Sequence, residues 1–153
     1  MNRGRGAGWV VGQFVVMAVV LGLRFVPPDW PGGAHVALRV LGIAFALGGA
    51  GVGVWASVLL GPGFTPFPRP ATGSRLVVTG PYRIVRHPVY SGGLMFFVGY
   101  ALWTGPLVLA GTVGLAVVWA LKSRVEEGYL RQRYPGYDAY AERVRFRLVP
   151  LIL

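Results

Sequence analysis

Two short stretches of this chain carry side chains that could do chemistry, and both stand out against an apolar background. The first is Gly80-Pro81-Tyr82-Arg83-Ile84-Val85-Arg86-His87-Pro88-Val89-Tyr90, which holds one of only two histidines. Pro88 suits the first turn of a helix, where its missing N–H costs nothing. The free N–H groups of that turn carry the positive end of the helix dipole, and with Arg86 beside them they favour an anionic group such as a carboxylate. The same residues would serve equally well as an interfacial anchor, with Arg and Tyr on lipid phosphate. The second stretch is Glu126-Glu127, two of only five acidic residues. Neighbours on a helix point about 100° apart, so the two glutamates have different partners. Glu127 and Arg131 are spaced i, i+4 and could pair, and salt bridges to nearby arginines would by themselves account for both acids. Cysteine is absent, which removes disulfides, thiolate metal sites and a cysteine nucleophile. No metal site is expected, and His35, the other histidine, is assigned no role.

The elements that must position these residues are membrane spans. The chain has 153 residues, enough for one domain, is 54% hydrophobic and only 13% charged. A soluble domain is about one quarter charged, so the deficit points to lipid. Residues 9–26 form a first apolar span, interrupted only by Gln13 and Arg24; the basic residues before it would also fit a leader peptide, but no small-residue cleavage site follows. Pro27-Pro28-Asp29-Trp30-Pro31-Gly32-Gly33 breaks any helix. Residues 36–60 form a second span, long enough to cross with tilt. Residues 61–88, rich in Pro, Gly and Arg, form a loop. Residues 89–121 are apolar except at Thr104-Gly105-Pro106, which implies a tight helical hairpin with arms 89–103 and 107–121. Each arm is ~22 Å at helical rise, short of the ~30 Å hydrocarbon core, so either the arms extend into polar flanks or the hairpin is partly re-entrant. The tail, 122–153, is polar and basic, helical at its start and broken by Pro135-Gly136. The expected fold is all-α: a single integral membrane bundle of about four spans, 1–153, with a cytoplasmic helical tail.

Net charge is +10, and its distribution matters more than its size. Arg3 and Arg5 precede the first span, Arg69, Arg75, Arg83 and Arg86 fill the 61–88 loop, and seven more Lys and Arg residues lie in the tail. The loop after span one has none between Arg24 and Arg39, and the hairpin turn has none. This alternation places both termini, the 61–88 loop and the tail on the cytoplasmic side of the inner membrane. The bilayer is the expected partner, and nucleic acid is not needed to explain the charge. Gly42, Ala46, Gly49 and Gly53 fall on one face of span two, where small residues let another helix approach closely; that helix belongs either to the same chain or to a homodimer partner. The two polar stretches begin and end the same hairpin on the same side, so Arg86-His87 and Glu126-Glu127 should be neighbours. A basic group and an acidic group beside apolar walls suit a zwitterionic small molecule.

At these residues the sequence resembles the family of isoprenylcysteine carboxyl methyltransferases, which includes phospholipid N-methyltransferases and small bacterial members. The resemblance runs through Leu60-Gly61, Phe64-Thr65-Pro66, Gly80-Pro81-Tyr82-Arg83 and Arg86-His87-Pro88-Val89-Tyr90. It continues in Glu126-Glu127-Gly128-Tyr129-Leu130, Tyr134, Gly136, Tyr137, Tyr140 and Arg147-Leu148-Val149-Pro150, covering about residues 58–150. It implies methyl transfer from S-adenosylmethionine to a lipophilic or membrane-associated small acceptor, a carboxylate, amine or thiol. It also implies that Arg86, His87, Pro88, Tyr90, Glu126 and Glu127 hold the cofactor, with Arg147 and Tyr137 toward the reacting end. Eukaryotic members have more spans, which argues against a prenylated protein as acceptor. Membrane sterol reductases that use NADPH share a similar Arg-His-Pro-x-Tyr stretch but follow it with Phe-Gly-Glu, where this chain has Ser91-Gly92-Gly93. An NADPH-dependent lipid reductase and a non-enzymatic membrane assembly module are the competing readings.

Overall fold

A computed structural model describes residues 4–32 and 35–150; Arg3 and the last three residues of the tail lie outside the described residues. Five helices account for the architecture: α1 (Gly4–Gly22), α2 (His35–Leu60), α3 (Pro88–Thr104), α4 (Pro106–Arg133) and the short α5 (Tyr137–Arg143). The protein is an all-α membrane bundle, as expected. Three segments, Gly6–Phe25, His35–Gly63 and Pro106–Arg133, are long and apolar enough to cross a bilayer. α3 has 17 residues, ~25 Å at helical rise. The outer surface carries Val11, Phe14, Val15, Leu47, Val54, Val58, Val113 and Val117 exposed, an apolar coat that lipid, not water, can solvate.

The α3–α4 hairpin is as tight as the sequence predicts, with only Gly105 between the helices. A Cβ at Gly105 would lie 2.9 Å from the Pro28 carbonyl oxygen, so the α1–α2 connection and the hairpin turn press together at one end of the bundle. Trp30 fastens that end by donating its indole N–H to the Ala101 carbonyl at 2.9 Å. α4 has 28 residues and continues unbroken from the turn through Lys122 to Arg133. Its polar flank thus extends the short fourth arm, at ~42 Å, well beyond the hydrocarbon core.

α2 packs along α3 more extensively than any other pair of helices. The small-residue face of α2 makes this approach: a Cβ at Gly42 would meet the Gly99 carbonyl at 2.6 Å, and one at Gly92 would meet the Gly49 carbonyl at 2.6 Å. With backbone against backbone, the contact depends on dispersion between close surfaces. The stripe is therefore filled within the chain, and packing against α3 accounts for it without a second copy.

Candidate functional site

The site forms at the end of the bundle opposite the hairpin turn, where four segments converge. Pro88 opens α3, and His87 before it has non-helical dihedrals (φ −126°, ψ 63°). The tail folds back onto this junction. The N–H groups of Arg86 and His87 donate to the carbonyls of Phe146 (2.9 Å) and Arg147 (3.0 Å), and the Ser91 hydroxyl donates to the Leu148 carbonyl. Tyr90 and Ser91 N–H groups both donate to the His87 carbonyl. Most of the N–H groups that the sequence suggested for an anion are thus engaged by protein. Tyr140 anchors α5 beside them, donating to the Tyr82 carbonyl at 2.8 Å.

Glu127 is the hub. Its carboxylate is 1% exposed and accepts hydrogen bonds from Arg86 Nε at 2.9 Å and from Arg147 Nε at 3.0 Å and Nη2 at 3.2 Å. His87 Nε2 lies 3.3 Å from the same carboxylate. Arg86 also donates to the Val144 carbonyl at 2.9 Å and the Arg145 carbonyl at 3.1 Å, which fixes the tail. The i, i+4 partner suggested by spacing, Arg131, is 3.8 Å away and is the weakest of the cations around Glu127. Glu126 faces a different way, as the 100° helical offset requires. It accepts from the Tyr90 hydroxyl and lies 3.4 Å from His87 Nδ1. His87 therefore sits between both acids. Burial disfavours its charge, but the hydrogen bonds that its ring N–H groups donate to Glu126 and Glu127 outweigh that and raise its pKa above 6.5. Hydrogen bonding to Glu127 likewise raises the Arg147 pKa. Desolvation raises the Tyr137 pKa and pushes that of Tyr140 up to about 12, so both remain neutral hydroxyls.

A cavity of about 480 Å³ opens beside this network, within the range of small-molecule sites. Of the eight residues singled out from the sequence, Arg86, His87, Tyr90, Glu126 and Tyr137 line it. Pro88, Glu127 and Arg147 stand behind its wall: Pro88 shapes the α3 start, and Glu127 orders Arg86, His87 and Arg147. Tyr134, Tyr140, Trp119, Phe64 and Phe67 add aromatic lining, and Lys122, Arg69 and Arg75 add cations. Two buried polar atoms have no partner among the described residues, the Tyr137 hydroxyl and the Trp119 indole N–H. Trp119 and Lys122 were passed over in the sequence. Lys122 is fully buried, donating to Gln13 Oε1 at 2.6 Å and to the Pro66 carbonyl at 2.7 Å. The signal was Gln13, a lone amide in an apolar span, since such a residue faces a polar partner in the bundle interior.

The donor set fits S-adenosylmethionine. A carboxylate (Glu126) and cations (Lys122, Arg86) line one cavity with aromatic walls and an unpartnered tyrosine hydroxyl, groups that suit an ammonium, a carboxylate and a flat base. The profile of the phospholipid methyltransferase family matches residues 37–136, from α2 to the end of α4. The chain belongs to the phospholipid methyltransferase family. The apolar helices long enough to cross a bilayer agree with a membrane protein of this family. Two relatives match across 94% of the chain. The nickel-cobalt-cadmium resistance protein NccN of Alcaligenes xylosoxydans xylosoxydans is 29% identical, and the cobalt-zinc-cadmium resistance protein CzcN of Cupriavidus metallidurans is 25% identical. The chain spans 63% and 62% of their lengths.

Proposed function

We propose that the protein is an S-adenosylmethionine-dependent methyltransferase acting on a lipophilic, membrane-associated small molecule at the cytoplasmic membrane face. The observation that carries this reading is the cavity itself, where groups of opposite charge meet an apolar, aromatic wall at the end of a membrane bundle. When bound, S-adenosylmethionine supplies an electrophilic methyl group on a sulfonium. Glu126 would accept hydrogen bonds from its amino or ribose groups, and Arg86 and Lys122 would face its carboxylate. His87, held between two glutamates, sets the orientation of Tyr90 and Glu126. Tyr137 brings an unpartnered hydroxyl toward the reacting end, and Arg147 acts there as a positioning residue, locked by Glu127. The apolar wall keeps water away, which strengthens every charge interaction inside. Fixing two reactants in line can supply up to ~7–11 kcal/mol of the barrier.

Calorimetry on the purified protein in detergent tests this directly. Micromolar binding of S-adenosylmethionine or its demethylated product, with NADPH far weaker, is expected; tighter binding of NADPH would transfer the assignment to a lipid reductase. The relatives' names extend the reading to metal stress: methylation of a membrane constituent would support growth in cobalt or cadmium. A deletion strain that grows as the parent does in those metals would remove that extension while leaving the enzymatic reading in place.

A further inference from the structure

α1 lies outside the stretch that matches the family, which begins at residue 37, yet it reaches the cavity. Gln13, Met17 and Val20 are spaced i, i+4, i+7 and so share one helix face. Val20 is buried, Met17 packs on the same core, and a Cβ at Gly111 of α4 would lie 3.1 Å from Val20 Cγ2. This face sets α1 against α4 and carries Gln13, buried, to the cavity wall. A buried amide in an apolar span is costly unless a polar partner meets it. Here the partner is Lys122. An ammonium can only donate, so the amide oxygen must face it, and Oε1 lies 2.6 Å from Nζ. The Pro66 carbonyl takes a second N–H at 2.7 Å.

Glu126 follows Lys122 on α4 at the i, i+4 spacing that favours direct pairing. Its Oε1 is nonetheless 3.7 Å from Nζ, an ion pair past the reach of a normal hydrogen bond, and it accepts from the Tyr90 hydroxyl instead. Two neutral oxygens, from Gln13 and Pro66, hold the ammonium at that longer distance. Held so, Lys122 and Glu126 are an open pair, and each keeps capacity for a ligand group. Without the Gln13 oxygen the ammonium would lose one of its two hydrogen bonds, and Glu126 is the acceptor at hand to replace it. A closed Lys122–Glu126 pair would offer less to either charge of an amino-acid group.

We infer that Gln13 is a positioning residue: its amide oxygen holds Lys122 off Glu126 and keeps both charges available to the amino-acid end of the cofactor. This rests on the methyltransferase reading and adds α1 to the parts that build the site.

The test compares two ligands that differ at that end. S-adenosylhomocysteine carries the amino and carboxylate groups; methylthioadenosine keeps the adenosine and the thioether and lacks both charges. Affinities for each are measured by calorimetry on the protein in lipid nanodiscs. Gln13→Leu should weaken S-adenosylhomocysteine about tenfold, as expected for a misplaced charge-assisted hydrogen bond, and leave methylthioadenosine unchanged. A purely structural role for Gln13 would weaken both ligands alike. Where Lys122→Met is already present, Gln13→Leu should have no further effect, because no ammonium is left to hold. If Gln13→Leu does not fold, Gln13→Asn, which keeps the amide but draws its oxygen back by one methylene, makes the same comparison; if Lys122→Met does not fold, the two ligands alone decide. Equal weakening of both ligands, unchanged S-adenosylhomocysteine affinity, or additive losses in the double variant would each overturn the role of Gln13. Any of these with S-adenosylhomocysteine still bound by the parent protein leaves the methyltransferase standing; failure of the parent to bind S-adenosylhomocysteine sinks the broader reading.

Discussion

Glu127 draws two arginines and a histidine onto one buried carboxylate. Taking the carboxylate away strands three cations, so Glu127→Ala should cost about 3–5 kcal/mol of stability, read as a fall in the unfolding midpoint in detergent. Glu127→Gln keeps the shape and one acceptor, and the loss of charge-assisted hydrogen bonds should cost about 1.5–3 kcal/mol. Because Arg86 and His87 line the cavity and Glu127 does not, its loss reaches the cofactor only through them. His87 supplies a pH dependence with a definite sign. Its pKa is raised above 6.5 by its bonds to Glu126 and Glu127, so its contribution is complete below that value and fades as the pH climbs through the folded-state pKa. Thermal stability measured from pH 6 to 9 should fall on the alkaline side, and His87→Gln should flatten that slope. An unchanged slope would mean that His87 is neutral in the folded protein.

At the scale of elements, the α2–α3 contact positions the site, because α3 carries Arg86, His87 and Tyr90 at its head. Gly92 allows no side chain without pushing the helices apart. Gly92→Val should therefore cost at least about 1–3 kcal/mol of overpacking and reduce the yield of monodisperse protein on size exclusion. Gly51, on the same helix as Gly49 but with open space around it, should accept valine with no comparable loss. Equal tolerance at both positions would show that the close approach is not what holds the hairpin to α2. The second element that matters is the tail. Its bonds to Arg86 and His87 close the N-terminus of α3, so α5 and residues 146–148 complete the wall.

At the scale of the molecule, the bundle has two chemically distinct ends. One gathers the 61–88 loop, the polar flank of α4 and the tail around the cavity; the other holds the Pro27–Gly32 connection and the hairpin turn. The excess of arginine at the first end predicts that it faces the cytoplasm. Reporter fusions after Leu153 and within the Pro27–Gly32 connection should report opposite sides, cytoplasmic for the first; the same side for both would overturn the orientation and the route by which a water-soluble cofactor reaches the site.

The fold class, the helix bounds to within a few residues and the pairing of Arg86-His87 with Glu126-Glu127 were all legible in the sequence. Apolar length, helix breakers and charge by loop are local properties, and a hairpin with a one-residue turn forces its two ends together. What the tertiary structure alone decided is which atoms share the space so created. Helical offset says that Glu126 and Glu127 diverge, but not that one faces the cavity while the other collects three cations behind it. Arg147 lies beyond the Pro135-Gly136 break, so only the folded-back tail shows that it meets Glu127. Lys122 read as the first residue of a solvated tail, yet it is buried between α1 and the 61–88 loop, since burial depends on what packs against a residue and not on its neighbours in the chain.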